Sequence, residues 1–370
     1  YKKFTKNPIM SRIGYLGVFA GLIIMGYYSV VMGWTLEYLY QAIVGGLTGH
    51  SPEAYGTMFS ELSGGIYYPI LLTIGVTLLT WLIISRGVQT GIEKVSRVLM
   101  PMLFIILIGL AIYSMTLDGA AEGLKFLFYP DFNDVTPQTF LDAMGQCFFS
   151  LSLGMGCLTT YASYFKKDVN LPKTAVQVIS IDTLVAIVSG VIIFPAVFSF
   201  GVEPSQGPGL VYVVLPNIFQ KMIGGRIIGI LFYALLFIAA LTSLMSLLEV
   251  VTAYVHEKFK LSRTVSSLII ALIVIIMSIF ASLSCGAVPD LQLFGKSIFD
   301  LFDYFTAVIL LPIGGLTISI YGGWVLEEKI LYTEFARNNK YSLALFKAYA
   351  FILKYIAPIC ILIVFIGSFI

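Results

Sequence analysis

The residues Ser150-Leu-Ser-Leu-Gly-Met-Gly156 lie in the middle of an apolar segment long enough to cross a bilayer. Ser150 and Ser152 bring neutral oxygen ligands, and Gly154 and Gly156, lacking a Cβ, let the backbone leave the helix. In hydrocarbon each unpaired backbone N–H or C=O costs several kcal/mol, so a helix unwinds at that depth only where protein, water or a ligand takes up the freed groups. A half-helix ending there turns a partial charge toward a bound ion or substrate. The plainer reading is a close helix crossing by small residues. Two serines beside the glycines are spaced too closely for one packing face, which favours a break over about residues 150–156.

More oxygen groups fall at the same depth. At about 1.5 Å rise per residue, Tyr28 lies roughly 27 Å along one span, Thr242 and Ser243 about 25 Å along another, and Asp182 about 14 Å into a third. A carboxylate there costs on the order of 2.5 to 3.5 kcal/mol on insertion scales, and such residues usually face a partner, a cavity or an ion path. Each has a bland alternative: Ser and Thr in membrane helices often bond their own backbone, a lone Tyr often packs, and Asp182 can be a buried neutral acid. Together they form a set suited to holding a small cation and a polar ligand. The chain shows no nucleophile, base and orienter set. Cys147, Cys157, Cys285 and Cys360 lack CxxC spacing, and two histidines, His50 and His256, are too few for a metal centre.

These groups need elements to position them. With 58% hydrophobic and 11% charged residues, the chain is an all-α polytopic membrane protein rather than a soluble domain, and a net charge of +2 gives no sign of nucleic-acid binding. Hydropathy predicts nine spans, at about 10–43, 66–85, 92–116, 138–164, 173–200, 226–257, 263–284, 297–324 and 344–370. With the N-terminus inside, 17 of the 22 basic residues fall on the inner side (Lys2, Lys3, Lys6, Lys166, Lys167, Arg337 and Lys340 among them), which predicts a cytoplasmic N-terminus and an outer C-terminus in the plasma membrane. The outer segment 201–225 carries enough apolar residues, Leu210 to Phe219, for a short re-entrant helix acting as a lid.

Several stretches resemble the neurotransmitter:sodium symporter family, in particular its bacterial amino-acid transporters of leucine-transporter type. GQCFFSLSLGMGCLTTYASYFKKD (145–168) resembles the family's sixth helix, and AALTS at 239–243 with HEKFKLSR at 256–263 the eighth. GYYSVVMGWTL (26–36) resembles the third helix, GIEKVSRVLMPMLF (91–104) the fifth and FDLFDYFTAVILLPIGG (299–315) the tenth. The resemblance spans essentially the whole chain and implies one transmembrane transporter domain with inverted repeats of five helices. Residues 138–324 match one full repeat, 1–137 the rest of the other, and 344–370 an extra C-terminal helix. The family's first two helices have no counterpart before Tyr1, so the expectation is an incomplete chain that does not transport alone.

The resemblance also implies roles. An amino-acid pocket is walled by Ile24, Tyr28, Phe149, Ser150, Ser152, Met155, Ser243 and Leu247, with Tyr28 on the substrate carboxylate and Tyr28 and Phe149 closing its outer side. One sodium site uses Ser150 and Asp182 with first-helix carbonyls, and a second uses the Ala239 carbonyl and the Thr242 and Ser243 hydroxyls. Asp303 is the outer-gate acid, and Tyr164 and Glu257 belong to the inner gate. Asp182 stands where the family commonly has Asn and is expected to replace chloride as counter-charge. Met155, where a leucine-selective relative has Phe, gives a roomier floor and points to large aliphatic or aromatic amino acids. The implied activity is sodium-coupled amino-acid symport by alternating access, with sodium ions and no organic cofactor. The alternatives are a proton-coupled or exchange-type amino-acid transporter of the same architecture and a non-transporting membrane sensor or scaffold.

Overall fold

The computed structural model describes residues 10–129, 131–133, 135–165, 169–201, 207–336 and 343–369. Lys2, Lys3, Lys6, Lys166, Lys167, Arg337 and Lys340, used in the orientation argument, lie outside the described residues. The chain is a helical bundle. Its long helices are α1 (Ile13–Val44), α3 (Tyr67–Ser85), α4 (Gly91–Ser114), α8 (Leu171–Ser199), α10 (Gly225–Phe259), α11 (Arg263–Ser284), α12 (Ile298–Val325) and α14 (Leu343–Gly367). Shorter helices join them: α2 (Pro52–Ser63), α5 (Ala120–Phe128), α6 (Pro137–Ser150), α7 (Cys157–Ser163), α9 (Leu215–Lys221) and α13 (Glu328–Phe335). A two-residue hairpin, β1 (Gln292–Leu293) paired with β2 (Lys296–Ser297), precedes α12.

Eight of these helices are long and apolar enough to cross a membrane, not nine. The difference falls at 138–164, where two short helices, α6 and α7, stand in place of one continuous span. Apolar side chains cover the outward faces of α4 and α8, with Ile105 72% and Val176 63% exposed, as lipid-facing helices require.

The helix ends follow from local sequence. Thr136 and Thr139 form a reciprocal capping box at the start of α6, with Pro137 in its first turn. The Asn170 and Ser262 side chains cap α8 and α11 by accepting from the Lys173 and Val265 N–H groups. Bundle order is set by α1, which packs along α10 and also against α3, α11 and α12. One apolar core surrounds the middle of α1, α10 and the 150–156 segment; a second joins the last turns of α1 to α9 and the start of α10. Residues Leu210–Val214 and α9 form the expected short helix, with Tyr212, Leu215, Ile218 and Phe219 buried. The Tyr212 hydroxyl is 2.8 Å from the Thr35 hydroxyl, and the Gln220 side chain bonds the His50 backbone at both its N–H and its C=O.

Candidate substrate and cation site

The break is built by its own residues. Helix α6 ends with the Ser152 N–H bonded to the Phe149 carbonyl at 3.1 Å and the Leu153 N–H to the Phe148 carbonyl at 2.8 Å. That is a Schellman ending, with Ser152 in the left-handed conformation (φ 55°) usually held by glycine. A non-glycine residue there carries strain of order 1 to 3 kcal/mol, which persists only where the surroundings hold it. Gly154 and Gly156 follow at φ 80° and 79°, and Gly156 caps α7. Both glycines also answer to packing. A Cβ on Gly154 would sit 2.5 Å from the Leu311 carbonyl oxygen, and one on Gly17 would sit 2.9 Å from the Gly156 nitrogen. The break is thus pinched between α12 and α1, so the close-crossing reading and the unwinding reading both hold.

Beside it lies a cavity of about 980 Å³. Ile24 and Tyr28 of α1, and Ser243 and Leu247 of α10, form one wall. Phe149, Ser150, Ser152 and Met155 line the cavity as well, so the structure brings together on it all eight residues expected to hold substrate. The Tyr28 and Ser243 side chains stand next to each other on that wall of α1 and α10. Ser150 donates to Asp182 of α8 at 2.5 Å, which places the two expected ligands of the first cation site side by side. At the second, Thr242 lines the cavity while its hydroxyl donates to the Ala239 carbonyl at 2.9 Å. That is the ordinary behaviour of Thr in a helix. It spends the hydroxyl proton on the helix and leaves an oxygen lone pair for a cation.

Asp303 of α12 faces the Tyr27 phenol, beside Thr306. Tyr164 is bound to Glu249, at 2.5 Å, and not to Glu257. Glu249 is fully buried, and its other oxygen pairs with the Arg263 guanidinium, whose Nε donates to the Ile84 carbonyl. Glu257 lines a smaller cavity of about 260 Å³ that has Tyr164, Gly156 and Gly314 on its wall. The cluster of Tyr164, Glu249 and Arg263 ties α7, α10 and α11 together, and Glu257 shares the lining of the smaller cavity with Tyr164. A second unforeseen link joins Tyr161 to Ser246, with their hydroxyls 3.0 Å apart.

Among the described residues no group of three or more His, Cys, Asp or Glu side chains converges as a metal centre. What the cavity offers a cation is a set of hydroxyls and the Glu93 carboxylate on its lining, with the Asp182 carboxylate reached through Ser150, and neutral oxygen dipoles replace the hydration shell of an alkali cation.

Known proteins resemble the chain in sequence and in fold. The sequence model of the sodium:neurotransmitter symporter family matches residues 59–370. An uncharacterized sodium-dependent transporter of Bacillus subtilis (strain 168), YhdH, is 37% identical over 367 residues, covering 99% of this chain and 81% of that protein. A similar sodium-dependent transporter of Haemophilus influenzae is 37% identical over 362 residues, 96% of this chain and 78% of that one. The crystal structure of MhsT in complex with L-phenylalanine superposes with a TM-score of 0.89 at 42% identity, over 98% of this chain and 82% of MhsT. On these findings the chain belongs to the sodium:neurotransmitter symporter family and is a membrane transporter, not an enzyme.

Proposed function

We propose that the cavity binds a large aliphatic or aromatic amino acid together with sodium, and that the protein couples sodium entry to amino-acid uptake by alternating access. The observation that carries this reading is the convergence on one cavity of a broken helix, Tyr28, Ser243 and Ser150, whose hydroxyl donates to Asp182. Tyr28 supplies a donor to the substrate carboxylate, and Met155 and Leu247 supply an apolar wall for its side chain. Ser150 and Asp182 hold the first sodium; the Ala239 carbonyl, Thr242 and Ser243 hold the second. The complex of MhsT with L-phenylalanine, at 42% identity, supports the substrate class. The end of the bundle where α10 finishes and α11 begins is the cytoplasmic one in this reading, and the lid over α1 is extracellular.

Coupling requires only that sodium and substrate favour the same conformation. The first site would supply this directly, because its sodium sits beside the substrate carboxylate. Asp303 and the Tyr28–Phe149 pair then serve the outer closure, and Tyr164, Glu249 and Glu257 the inner one. Thr242→Val combined with Ser243→Ala removes two hydroxyl ligands, groups worth roughly 0.5 to 1.5 kcal/mol each. The sodium concentration that half-saturates amino-acid binding is expected to rise about tenfold to a hundredfold in an equilibrium binding assay, with folding retained. An unchanged sodium dependence would show that the pair is only structural.

A further inference from the structure

We infer that Tyr161 is a positioning residue for the second sodium site, acting through Ser246 on the turn of α10 that carries Thr242 and Ser243. The inference rests on the proposal that those two residues bind sodium; Tyr161 and Ser246 line the same cavity, and the inference adds the route that joins them to the ligand turn.

Tyr161 stands on α7, one turn beyond the break, and its hydroxyl lies 3.0 Å from Ser246 Oγ. Ser246 Oγ in turn donates to the Thr242 carbonyl at 3.0 Å. A hydroxyl has one proton, so Ser246 accepts from Tyr161 and the chain of donors has a single direction: Tyr161 to Ser246 to the Thr242 carbonyl. The carbonyl that receives it belongs to the peptide joining Thr242 to Ser243, and both of those side chains line the cavity.

A Ser that bonds back to the carbonyl four residues earlier loosens and bends the helix at that turn. Chained hydrogen bonds polarise one another, so the Tyr161 donor strengthens the Ser246 bond and holds the bend. The bend sets where the Thr242 and Ser243 oxygens stand. Helix α7 touches α10 again at Tyr164, three residues on and on the same face, through the buried Glu249. The two tyrosines have different tasks: Tyr164 engages an ion-paired carboxylate, whereas Tyr161 addresses the ligand turn.

Linkage gives the consequence. If the Tyr161–Ser246 contact favours sodium binding, bound sodium favours that contact by the same factor. Movement of α7 away from α10 then weakens the sodium site, and loss of sodium loosens α7. The state of the broken helix and the occupancy of the second site become one equilibrium.

Tyr161→Phe keeps the ring and deletes the donor; Ser246→Ala deletes the relay. Each should raise the sodium concentration that half-saturates amino-acid binding by roughly twofold to tenfold, the net worth of one hydrogen bond. Affinity for the amino acid at saturating sodium should stay at the parent value. The double variant should shift sodium dependence no further than the larger single, since both changes cut one chain. A purely structural role predicts additive losses of thermal stability and of amino-acid affinity even at saturating sodium, and that pattern would overturn the inference. An unchanged sodium dependence in both single variants would overturn it too. Thr242→Val with Ser243→Ala, run beside them, separates the two ideas. A shift in that pair alone refutes only the role of Tyr161, whereas no shift in any variant refutes the sodium site with it.

Discussion

Arg263→Ala is expected to be one of the most damaging single changes in this chain. It would leave the Glu249 carboxylate, with no exposed surface, facing only the Tyr164 hydroxyl. Removing one partner of a buried ion pair costs about 3 to 5 kcal/mol, because the remaining charge stays desolvated. The same change frees the Ile84 carbonyl from the Arg263 Nε and loosens the junction of α10, α11 and α3. Replacing both members, Arg263→Met with Glu249→Leu, should restore most of the loss, since apolar pairs of similar volume are often as stable as buried ion pairs. Thermal unfolding of the detergent-solubilised protein measures both. A single variant as stable as the parent would mean that the pair holds nothing together.

The second large effect turns on one charge. If Asp182 is the counter-charge to sodium, Asp182→Asn leaves a sodium-loaded site with uncompensated positive charge in a low-dielectric cavity, where a small anion is then favourable. Uptake by the variant should become dependent on chloride, while the parent transports equally well in chloride and gluconate. The Ser150 hydroxyl donates to this carboxylate at 2.5 Å, a contact that the proposed first site requires. Equal rates in the two salts for an active Asp182→Asn variant would remove the counter-charge role and leave a carboxylate that only orients Ser150.

How much of this was legible beforehand depends on what local chemistry can encode. The break was readable because glycine freedom and serine hydroxyls act on the residues that carry them: the expected nonhelical stretch of 150–156 falls between the observed helix ends at Ser150 and Cys157. What the residues alone could not say was that Gly154 is also forced by the approach of α12, and that Gly17 of α1 is forced by the backbone at Gly156, contacts between stretches distant in sequence. The cavity wall came from family resemblance, since nothing in the periodicity of α1 or α10 marks Ile24 or Leu247 off from other core residues.

Glu249 is the instructive omission. The cost of a carboxylate inside a membrane helix, applied to Asp182, applies with more force to Glu249, deep within the span 225–259. The argument would have found it. Its partners would have stayed hidden, because Arg263 reads as one more basic residue at a helix start and Tyr164 lies on another helix. Thr242 shows the reverse case: the bland expectation of a bond to its own backbone is realised, and the residue still lines the cavity.

The most direct test of the account is accumulation of labelled L-phenylalanine by proteoliposomes containing the full-length protein, driven in turn by an inward sodium gradient and by an inward proton gradient in potassium. The account predicts concentrative uptake with the sodium gradient, its loss when the gradient is collapsed, and none with protons alone. Uptake that is as strong under the proton gradient without sodium would contradict it, and would move the second site's oxygens from ligands to ordinary helix structure.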